Sequence, residues 1–478
     1  MSMILNQIFI EVGGIMRNKI IIGITFSLVL LMSGCASKQT AEINVLATTD
    51  LHGVIPYELT SYVKEERKKD KNLTLVDAGD FFDSGEVFGS SMDSYFSARY
   101  KDGDNNTESY IETPISKDMK EVGYDVAVLG NHEFISNNKF YLDNMISDFE
   151  KQNINILSAN TYKKNGDSYT KPYIIKNINT PEGNVKLGIL GLTIKEVGER
   201  KQWKDGKLVD SKSLELKDQE GYNGELYMND LVEDAKKWVG IMEKEKPDII
   251  VAVAHTGEKP KKPKNPGNRI QDLAQQVDGI DAIVAGHNHV QIEQHDYKNK
   301  SGENVIVTEP GKHGECISKI NFKLEKNNDK WNIVDKSSKL IKFEKNQESD
   351  KFGEFISSIN KVSKDKKEIR LSEVKTPEWD KIYVFKSGTS ADDIYKTIGY
   401  KWRNISSPKG DDMVQIVVMN NNKPVSYVYG EAEVMPINIK CDESEYKDNV
   451  VTIYPNKNDK FKIEKGKQEY SINLKHIQ

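Results

Sequence analysis

The chain has 478 residues, a length that predicts two or three domains. Its 37% of hydrophobic residues are too many for a disordered protein, and its three cysteines are too few for a disulfide-stabilised scaffold. The 68 basic and 73 acidic residues nearly balance at a net charge of −5, so we expect no binding to a nucleic-acid polymer.

The N-terminus has the pattern of an exported lipoprotein. Arg17 and Lys19 precede the apolar run Ile20–Met32, which is about as long as the core of a signal peptide. A serine and a glycine then lead into Cys35, an arrangement that resembles a bacterial lipobox. The alternatives are an ordinary secretory signal with a chance cysteine and an uncleaved membrane span. We expect residues 1–35 to be a lipoprotein signal peptide, with a lipidated Cys35 that anchors the protein to the membrane outside the cytoplasm.

After this segment, short β-branched runs alternate with helix-like stretches, which predicts an α/β domain. Five apolar runs each end in polar side chains that can bind a metal. These are Ile43–Thr49 before Asp50 and His52, Leu73–Val76 before Asp80, Val126–Leu129 before Asn131 and His132, Ile249–Ala254 before His255, and Ala282–Ala285 before His287 and His289. Ligands of open α/β sheets bind beyond the carboxyl ends of the strands. One such histidine is usually a capping or surface residue, but five matching strand ends favour a shared functional site.

These side chains offer carboxylate oxygen, amide oxygen and imidazole nitrogen, but no thiolate. Such a set suits Mn, Zn, Fe or Co better than a purely hard or a soft ion, and it is large enough for two ions. Two ions ~3.5–4 Å apart form a clamp for displacement at phosphorus and lower the pKa of a bridging water. A carboxylate such as Asp80 can bridge them, and a histidine outside the ligand set can protonate the leaving group.

In this order, the motifs resemble those of the calcineurin-like metallophosphoesterases. Within that family the similarity is to the bacterial 5′-nucleotidase and 2′,3′-cyclic-nucleotide 2′-phosphodiesterase branch, over about residues 43–325. The motifs that carry it are Leu46–Gly53 (LATTDLHG), Gly130–Phe134 (GNHEF), Leu157–Asn160 (LSAN), His255–Glu258 (HTGE) and Gly279–His289 (GIDAIVAGHNH). The resemblance implies a four-layer α/β/β/α metallophosphoesterase sandwich, which we assign to residues 42–338.

The resemblance also implies a role for each residue, with two divalent metal ions (Mn, Zn, Fe or Co) as cofactors. It implies two groups of ligands: Asp50, His52 and His289 for one ion, and Asn131, His255 and His287 for the other. Asp80 would bridge the two ions. His132 would be the catalytic histidine, which stabilises the transition state or helps the leaving group depart. Pro310–Gly314 resembles a glycine turn near the end of the family's domain, although a hairpin connection explains it equally well.

One position departs from the family pattern. In many 5′-nucleotidases an acidic residue follows Gly130–Phe134 and orients the catalytic histidine, and the cyclic phosphodiesterase branch often has asparagine there. Here the residue is Ile135, whose side chain accepts no hydrogen bond. Asn137 or Asn138 would serve if a two-residue insertion preceded them. Otherwise the pair is rearranged, or the enzyme is slower, because a histidine needs a partner that orients it.

The last third of the chain has a different pattern. Residues 339–376 are rich in lysine, glutamate and serine and predict a charged helical connector. Residues 377–478 contain short alternating runs between turn-like segments and predict a smaller β-rich C-terminal domain. Its aromatic side chains could stack a nucleobase, although packing in a core is the commoner role: Trp379, Tyr383, Phe385, Trp402, Tyr427 and Tyr429. We expect Cys316 and Cys441 to be free thiols.

The expected function is hydrolysis of phosphoesters of extracellular nucleotides by a metal-bridging hydroxide, of the 5′-nucleotidase, 2′,3′-cyclic-nucleotide phosphodiesterase or 3′-nucleotidase type. One alternative is a phosphatase for a non-nucleotide phosphoester. Another is a lipid-anchored binding protein with a weakened site, which Ile135 favours and the complete set of ligands opposes. The expected partners are therefore a phosphoester substrate and, through Cys35, a membrane.

Overall fold

The computed structural model describes residues 38–83, 92, 95, 96, 98, 99, 109–204, 207–259, 267–343, 351–399, 405, 412–432, 435–465 and 471–477. The expected signal peptide with Cys35, and also Trp402, lie outside these residues. Among the helices described, none has both the length and the apolar character needed to cross a membrane.

The first domain is built from sixteen described strands and six described α-helices. The strands are β1 Thr40–Thr48, β2 Thr74–Asp77, β3 Val126–Val128, β4 Asn155–Leu157, β5 Thr161–Lys163, β6 Tyr173–Thr180, β7 Gly183–Thr193, β8 Glu196–Lys204, β9 Lys207–Glu215, β10 Leu226–Met228, β11 Ile249–His255, β12 Ala282–Ala285, β13 Gln291–Lys298, β14 Asn304–Pro310, β15 Cys316–Asn327 and β16 Lys330–Lys342. The helices are α1 Tyr57–Lys69, α2 Pro114–Val122, α3 Asn131–Ile135, α4 Lys139–Lys151, α5 Leu231–Met242 and α6 Ile270–Gln276.

Two six-stranded sheets form the centre of this domain. Their orders are β16-β15-β1-β2-β3-β4 and β13-β14-β12-β11-β7-β6. Strands β1 to β4 run parallel in the first sheet, and β7, β11, β12 and β14 run parallel in the second. Antiparallel strands complete the edges, with β15 and β16 on one sheet and β6 and β13 on the other. All five predicted apolar runs are confirmed as parallel strands.

Alternation along the strands places the sheets face to face and a helical layer outside each. In β1, Val45 packs in the core between the sheets, while Leu46 packs with α1, α2 and α4 on the outer face. In β11, Val251 packs between the sheets, while Ile250 and Ala252 pack with α5 and α6. Successive side chains of a strand point to opposite faces, so strands buried on both faces are apolar throughout. The expected four-layer α/β/β/α sandwich is confirmed.

The C-terminal domain is rich in β-strands, as expected. Its strands are β17 Glu368–Arg370, β18 Lys381–Phe385, β19 Met413–Asn420, β20 Lys423–Glu431, β21 Ile437–Lys440, β22 Val450–Ile453, β23 Lys460–Lys465 and β24 Ile472–His476, and its helices are α7 Phe352–Ser363 and α8 Ala391–Ile398. They form two four-stranded sheets of order β17-β23-β24-β21 and β20-β19-β18-β22. Phe385 and Tyr427 are buried, which supports packing rather than base stacking for these two aromatic side chains. Cys316 and Cys441 are free thiols.

The interval 339–376 differs from the single charged connector that the sequence predicts. Strand β16 continues to Lys342, because its pairing with β15 extends that far. Helix α7 buries Phe355 and Ile359 in the core of the C-terminal domain, and β17 pairs with β23 of the same domain. Apolar residues four positions apart share one face of a helix, and that face is a packing surface here. The interval contributes elements to both domains.

Candidate active site

The side chains predicted to bind metal converge at the carboxyl ends of parallel strands from both sheets. Asp50 follows β1, Asp80 follows β2, Asn131 begins α3 directly after β3, His255 ends β11, and His287 follows β12. The parallel register aligns these ends, for example by pairing Thr48 with Asp77 and Ala254 with Ala285. Two sheets packed face to face thereby bring segments that are distant in the chain to one edge.

Five of these residues have a backbone conformation that is unusual for any residue except glycine. Their φ angles lie between 45° and 75°, in the left-handed region: Asp50, His52, Asp80, His287 and His289. Each such residue costs on the order of 1–3 kcal/mol, and such residues cluster at functional sites. The strain indicates that the fold holds these side chains for binding or chemistry.

The first group of donors consists of Asp50, His52 and His289. Nε2 of His289 lies 3.2 Å from Oδ1 of Asp50 and 3.1 Å from Nε2 of His52. The other Asp50 oxygen, Oδ2, accepts hydrogen bonds from the Thr49 hydroxyl at 2.7 Å and from the His287 N–H at 3.0 Å. Oδ1 is buried and accepts no hydrogen bond from the residues described. The carboxylate is thus fixed with one oxygen free for a cation.

The second group surrounds the amide oxygen of Asn131. Oδ1 of Asn131 lies 2.9 Å from Nδ1 of His287 and 3.0 Å from Nε2 of His255, which is itself 3.1 Å from Oδ2 of Asp80. Nδ1 of His255 lies 2.8 Å from the Ala78 carbonyl oxygen. A carbonyl only accepts, so Nδ1 carries a proton and Nε2 is the nitrogen that faces the other donors, which is the orientation of a metal-binding histidine.

Asp80 connects the two groups. Potential ligand atoms of Asp80, His255 and His287 all lie within 4.8 Å of one another, as do those of Asp80, His52 and His132. Ligands ~2.1 Å from a cation stand ~3 Å apart at right angles, so the separations in both groups suit divalent cations. Oxygen and imidazole donors without thiolate fit Mn, Zn, Fe or Co. The residues present therefore fit a metal centre that has Asp80 in the middle.

The charges in the site are strongly interdependent. Burial opposes the ionisation of Asp80, but the positive charges of His255, His132 and His52 outweigh it and hold the pKa of Asp80 below its usual range. Burial also opposes the protonation of His255, yet the Asp80 carboxylate raises the pKa of His255 to about 10. Burial and the charge of His255 lower the pKa of His287 to about 4. Protons and divalent cations therefore compete for the same donors.

The sequence pattern of the calcineurin-like phosphoesterases matches residues 43–291, just over half of the chain. The chain belongs to this family. A trifunctional nucleotide phosphoesterase of Bacillus subtilis (strain 168) is 28% identical over 330 residues, which are 63% of this chain and 20% of that protein. A 2′,3′-cyclic-nucleotide 2′-phosphodiesterase/3′-nucleotidase of Yersinia enterocolitica is 26% identical over 340 residues, which are 64% of this chain and 47% of that protein.

A crystal structure of the calcineurin-like phosphoesterase YfkN from Bacillus subtilis superposes with a TM-score of 0.50 at 25% identity. It covers 64% of this chain and 91% of that one. This chain spans about half the length, or less, of the curated relatives named above. The likeness is therefore to the phosphoesterase domain.

Glu133 of the phosphoesterase domain holds two of the strand-end loops together. Its buried carboxylate accepts hydrogen bonds from the N–H groups of Asp80 at 3.0 Å, Phe82 at 2.9 Å and Gly130 at 2.6 Å. Gly130 allows the loops after β2 and β3 to lie close together, since a Cβ at Gly130 would lie 2.3 Å from Oδ1 of Asp80. We did not predict this role from the sequence, although Glu133 lies within the motif Gly130–Phe134.

His132 of the phosphoesterase domain has a partner that the sequence did not indicate. Its Nδ1 lies 2.9 Å from Oδ2 of Asp83, and its Nε2 lies 4.0 Å from Oδ2 of Asp80. Burial disfavours the charged ring, but the neighbouring carboxylates of Asp83 and Asp80 outweigh it and raise the pKa of His132 to about 9. The partners considered from sequence are engaged elsewhere. Asn137 donates to the Glu133 carbonyl, and Asn138 caps helix α4.

His313 also lies near the site, although the sequence did not predict it as a site residue; it follows β14, in the turn after that strand. The ring centroid of His313 is 5.7 Å from that of His52. The backbone N–H of His313 donates to the backbone carbonyl of Asp50 at 2.9 Å. Gly311 and Gly314 flank it with φ angles of 80° and 61°, so a tight turn directs this segment toward Asp50. The glycine turn noted in the sequence was the available signal.

Proposed function

We propose that this protein is a dinuclear-metal-dependent hydrolase of nucleotide phosphoesters, of the 5′-nucleotidase, 2′,3′-cyclic-nucleotide phosphodiesterase or 3′-nucleotidase type. The observation that carries the proposal is the position of Asp80, whose potential ligand atoms lie within 4.8 Å of those of His255 and His287 and also of those of His52 and His132. Two centres around one carboxylate form the clamp that in-line displacement at phosphorus requires. The relatives are a nucleotide phosphoesterase and a cyclic-nucleotide phosphodiesterase, which supports nucleotides as the substrate class.

Each residue has a proposed role in this reaction. Two groups would hold one cation each: Asp50, His52 and His289 the first, and Asn131, His255 and His287 the second, with Asp80 between them. When bound, the cations would polarise the phosphoryl group and lower the pKa of a water molecule. His132 belongs to neither group, and its Nε2 faces the Asp80 side of the site. It would hold a proton at Nε2 for the phosphoryl or leaving-group oxygen.

We also propose that the mature protein acts outside the cytoplasm, anchored to the membrane through a lipid on Cys35. The support is the apolar run and the lipobox-like residues before this cysteine. Metabolic labelling with a fatty acid should mark the wild-type protein and not Cys35→Ser. A label on both proteins, or on neither, would contradict the anchor.

The activity is tested with a panel of substrates. Purified protein is loaded with Mn²⁺ and assayed on nucleoside 5′-monophosphates, 3′-monophosphates, 2′,3′-cyclic phosphates and a sugar phosphate, with and without a chelator. We expect turnover of at least one nucleotide class that the chelator abolishes and Asp80→Ala lowers by at least ~10³-fold, because both cations lose a shared ligand. Asp335→Ala is the matched control, an exposed aspartate of β16 in the same domain.

The outcomes of the panel separate the proposals. Turnover of the sugar phosphate alone would favour a non-nucleotide phosphatase. No metal-dependent turnover of any ester would contradict hydrolysis and leave a binding protein as the alternative.

A further inference from the structure

We propose that Asp83 is the residue that orients His132 in this protein, because Ile135, three residues after His132, offers no acceptor. The inference rests on the proposed function, because it assigns a positioning role within the same reaction. It concerns a residue three positions after Asp80, in the loop that follows β2.

The contact between the two side chains is direct. Oδ2 of Asp83 lies 2.9 Å from Nδ1 of His132, and the two side chains have the same exposed fraction, 28%. Nδ1 is not aligned for a hydrogen bond at this distance, so the carboxylate holds the ring as an ion pair. With Nδ1 held, the ring presents Nε2 toward Asp80, 4.0 Å away. A carboxylate at this place favours a proton on Nδ1 and restrains the direction of the ring.

Ile135, one turn after His132, cannot orient the ring in this way. Ile135 ends helix α3 three residues after His132, and residues three apart lie on the same face of a helix. Its apolar side chain is 45% exposed and offers no acceptor. Asp83 contacts His132 from the loop after β2, so the orienting carboxylate belongs to a different segment of the chain than Ile135.

Asp83 also lies near a proposed metal ligand, and this proximity defines the competing explanation. The same Oδ2 is 3.4 Å from Nδ1 of His52. The separation from His132 is shorter by half an ångström, so the stronger of the two ion-pair contacts is the one with His132. A role through His52 predicts a loss of bound metal, whereas a role through His132 predicts that the metal stays.

Kinetics and metal analysis test the assignment on the full protein loaded with Mn²⁺. We expect Asp83→Ala to lower kcat by about 10–100-fold, with KM within about twofold and an unchanged metal content. Asp83→Asn should fall between the wild type and Asp83→Ala, because its amide oxygen still faces Nδ1 but has no charge. Adding Ile135→Asp to Asp83→Ala should restore a large part of kcat. A kcat unchanged in Asp83→Ala, or one lost together with the metal, would overturn the proposal.

A second readout does not depend on turnover. In the Zn²⁺-loaded protein, a ¹⁵N-edited NMR spectrum of the imidazole nitrogens should show a proton on Nδ1 of His132, assigned with His132→Gln, that Asp83→Ala loses. Absence of this proton in the wild type would contradict the role of Asp83 even if the enzyme is active. Its presence in a protein without phosphoesterase activity would contradict the proposed function and leave the contact intact.

Discussion

At the scale of single residues, three of the donor residues in the site are held by hydrogen bonds with residues outside the donor set. The Thr49 hydroxyl holds Asp50, the Ala78 carbonyl holds His255, and Glu133 holds the backbone of Asp80. Partners of this kind orient metal ligands and commonly change metal affinity or activity by 10–100-fold when they are lost. Glu133 contributes most contacts, since it accepts three N–H groups from two loops.

Glu133→Gln should therefore weaken metal binding by about 10–100-fold. The new amide group would place a donor against N–H groups that need an acceptor, and the Asp80 loop would lose its support. Isothermal titration with Mn²⁺ measures the affinity. Glu150→Gln, at an exposed position of α4, is the matched control and should bind as the wild type does. Equal affinities of the Glu133 variant and the wild type would contradict this role.

The sequence predicted the candidate metal ligands, because their side chains can bind metal and follow apolar runs. It missed residues whose role depends only on tertiary contacts. Asp50, Asn131 and His255 follow apolar runs in motifs that resemble a known family, so their convergence could be expected. Asp83 could not be assigned, because a carboxylate three residues after Asp80 becomes a partner of His132 only when two loops fold together. His313 was missed for the same reason.

At the scale of elements, the carboxylate of Asp148 in α4 joins that helix to the start of α2. It accepts hydrogen bonds from the Tyr110 hydroxyl at 2.6 Å, from the Thr113 N–H at 2.9 Å and from Lys151 at 3.0 Å. Burial opposes its ionisation, but these bonds outweigh burial and lower the pKa of Asp148. Thr113 directly precedes α2, so the contact supplies an acceptor at the beginning of that helix.

Asp148→Asn should lower the free energy of unfolding by about 1–3 kcal/mol at neutral pH. A group whose pKa is lowered by folding stabilises the protein above its unfolded pKa, and that contribution is lost as the pH falls through the folded value. The difference between variant and wild type should thus be constant above about pH 4 and shrink below it. Urea unfolding at several pH values measures this. Asp329→Asn, at an exposed position, should leave the stability unchanged.

A difference that persists unchanged at the lowest pH would contradict the role of the Asp148 charge.

Among the elements, the five central strands were predictable because each is an apolar run bounded by polar residues. The length of β16 was not, because its last residues pair with β15 and carry no apolar run of their own.

At the scale of the whole molecule, the two sheets form one support for the site. The core between them includes Val45 of β1 and Val251 of β11, so burial of both sheets fixes the relation between Asp50 and His255. A site divided between packed sheets has the small positional tolerance that catalysis needs. The C-terminal domain has its own core, which includes Phe355 and Leu474. Its β-rich class followed from alternating runs, but its boundary did not, because α7 lies in the charged interval 339–376 and packs in this core only through tertiary contacts.

The most direct test of this account is the anomalous scattering of crystals soaked in Mn²⁺. The account predicts two manganese peaks ~3.5–4 Å apart, with a carboxylate oxygen of Asp80 bound to each. Asp50 and His289 would bind one peak, and Asn131 and His287 the other. A single peak, or two peaks of which neither contacts Asp80, would contradict the dinuclear centre.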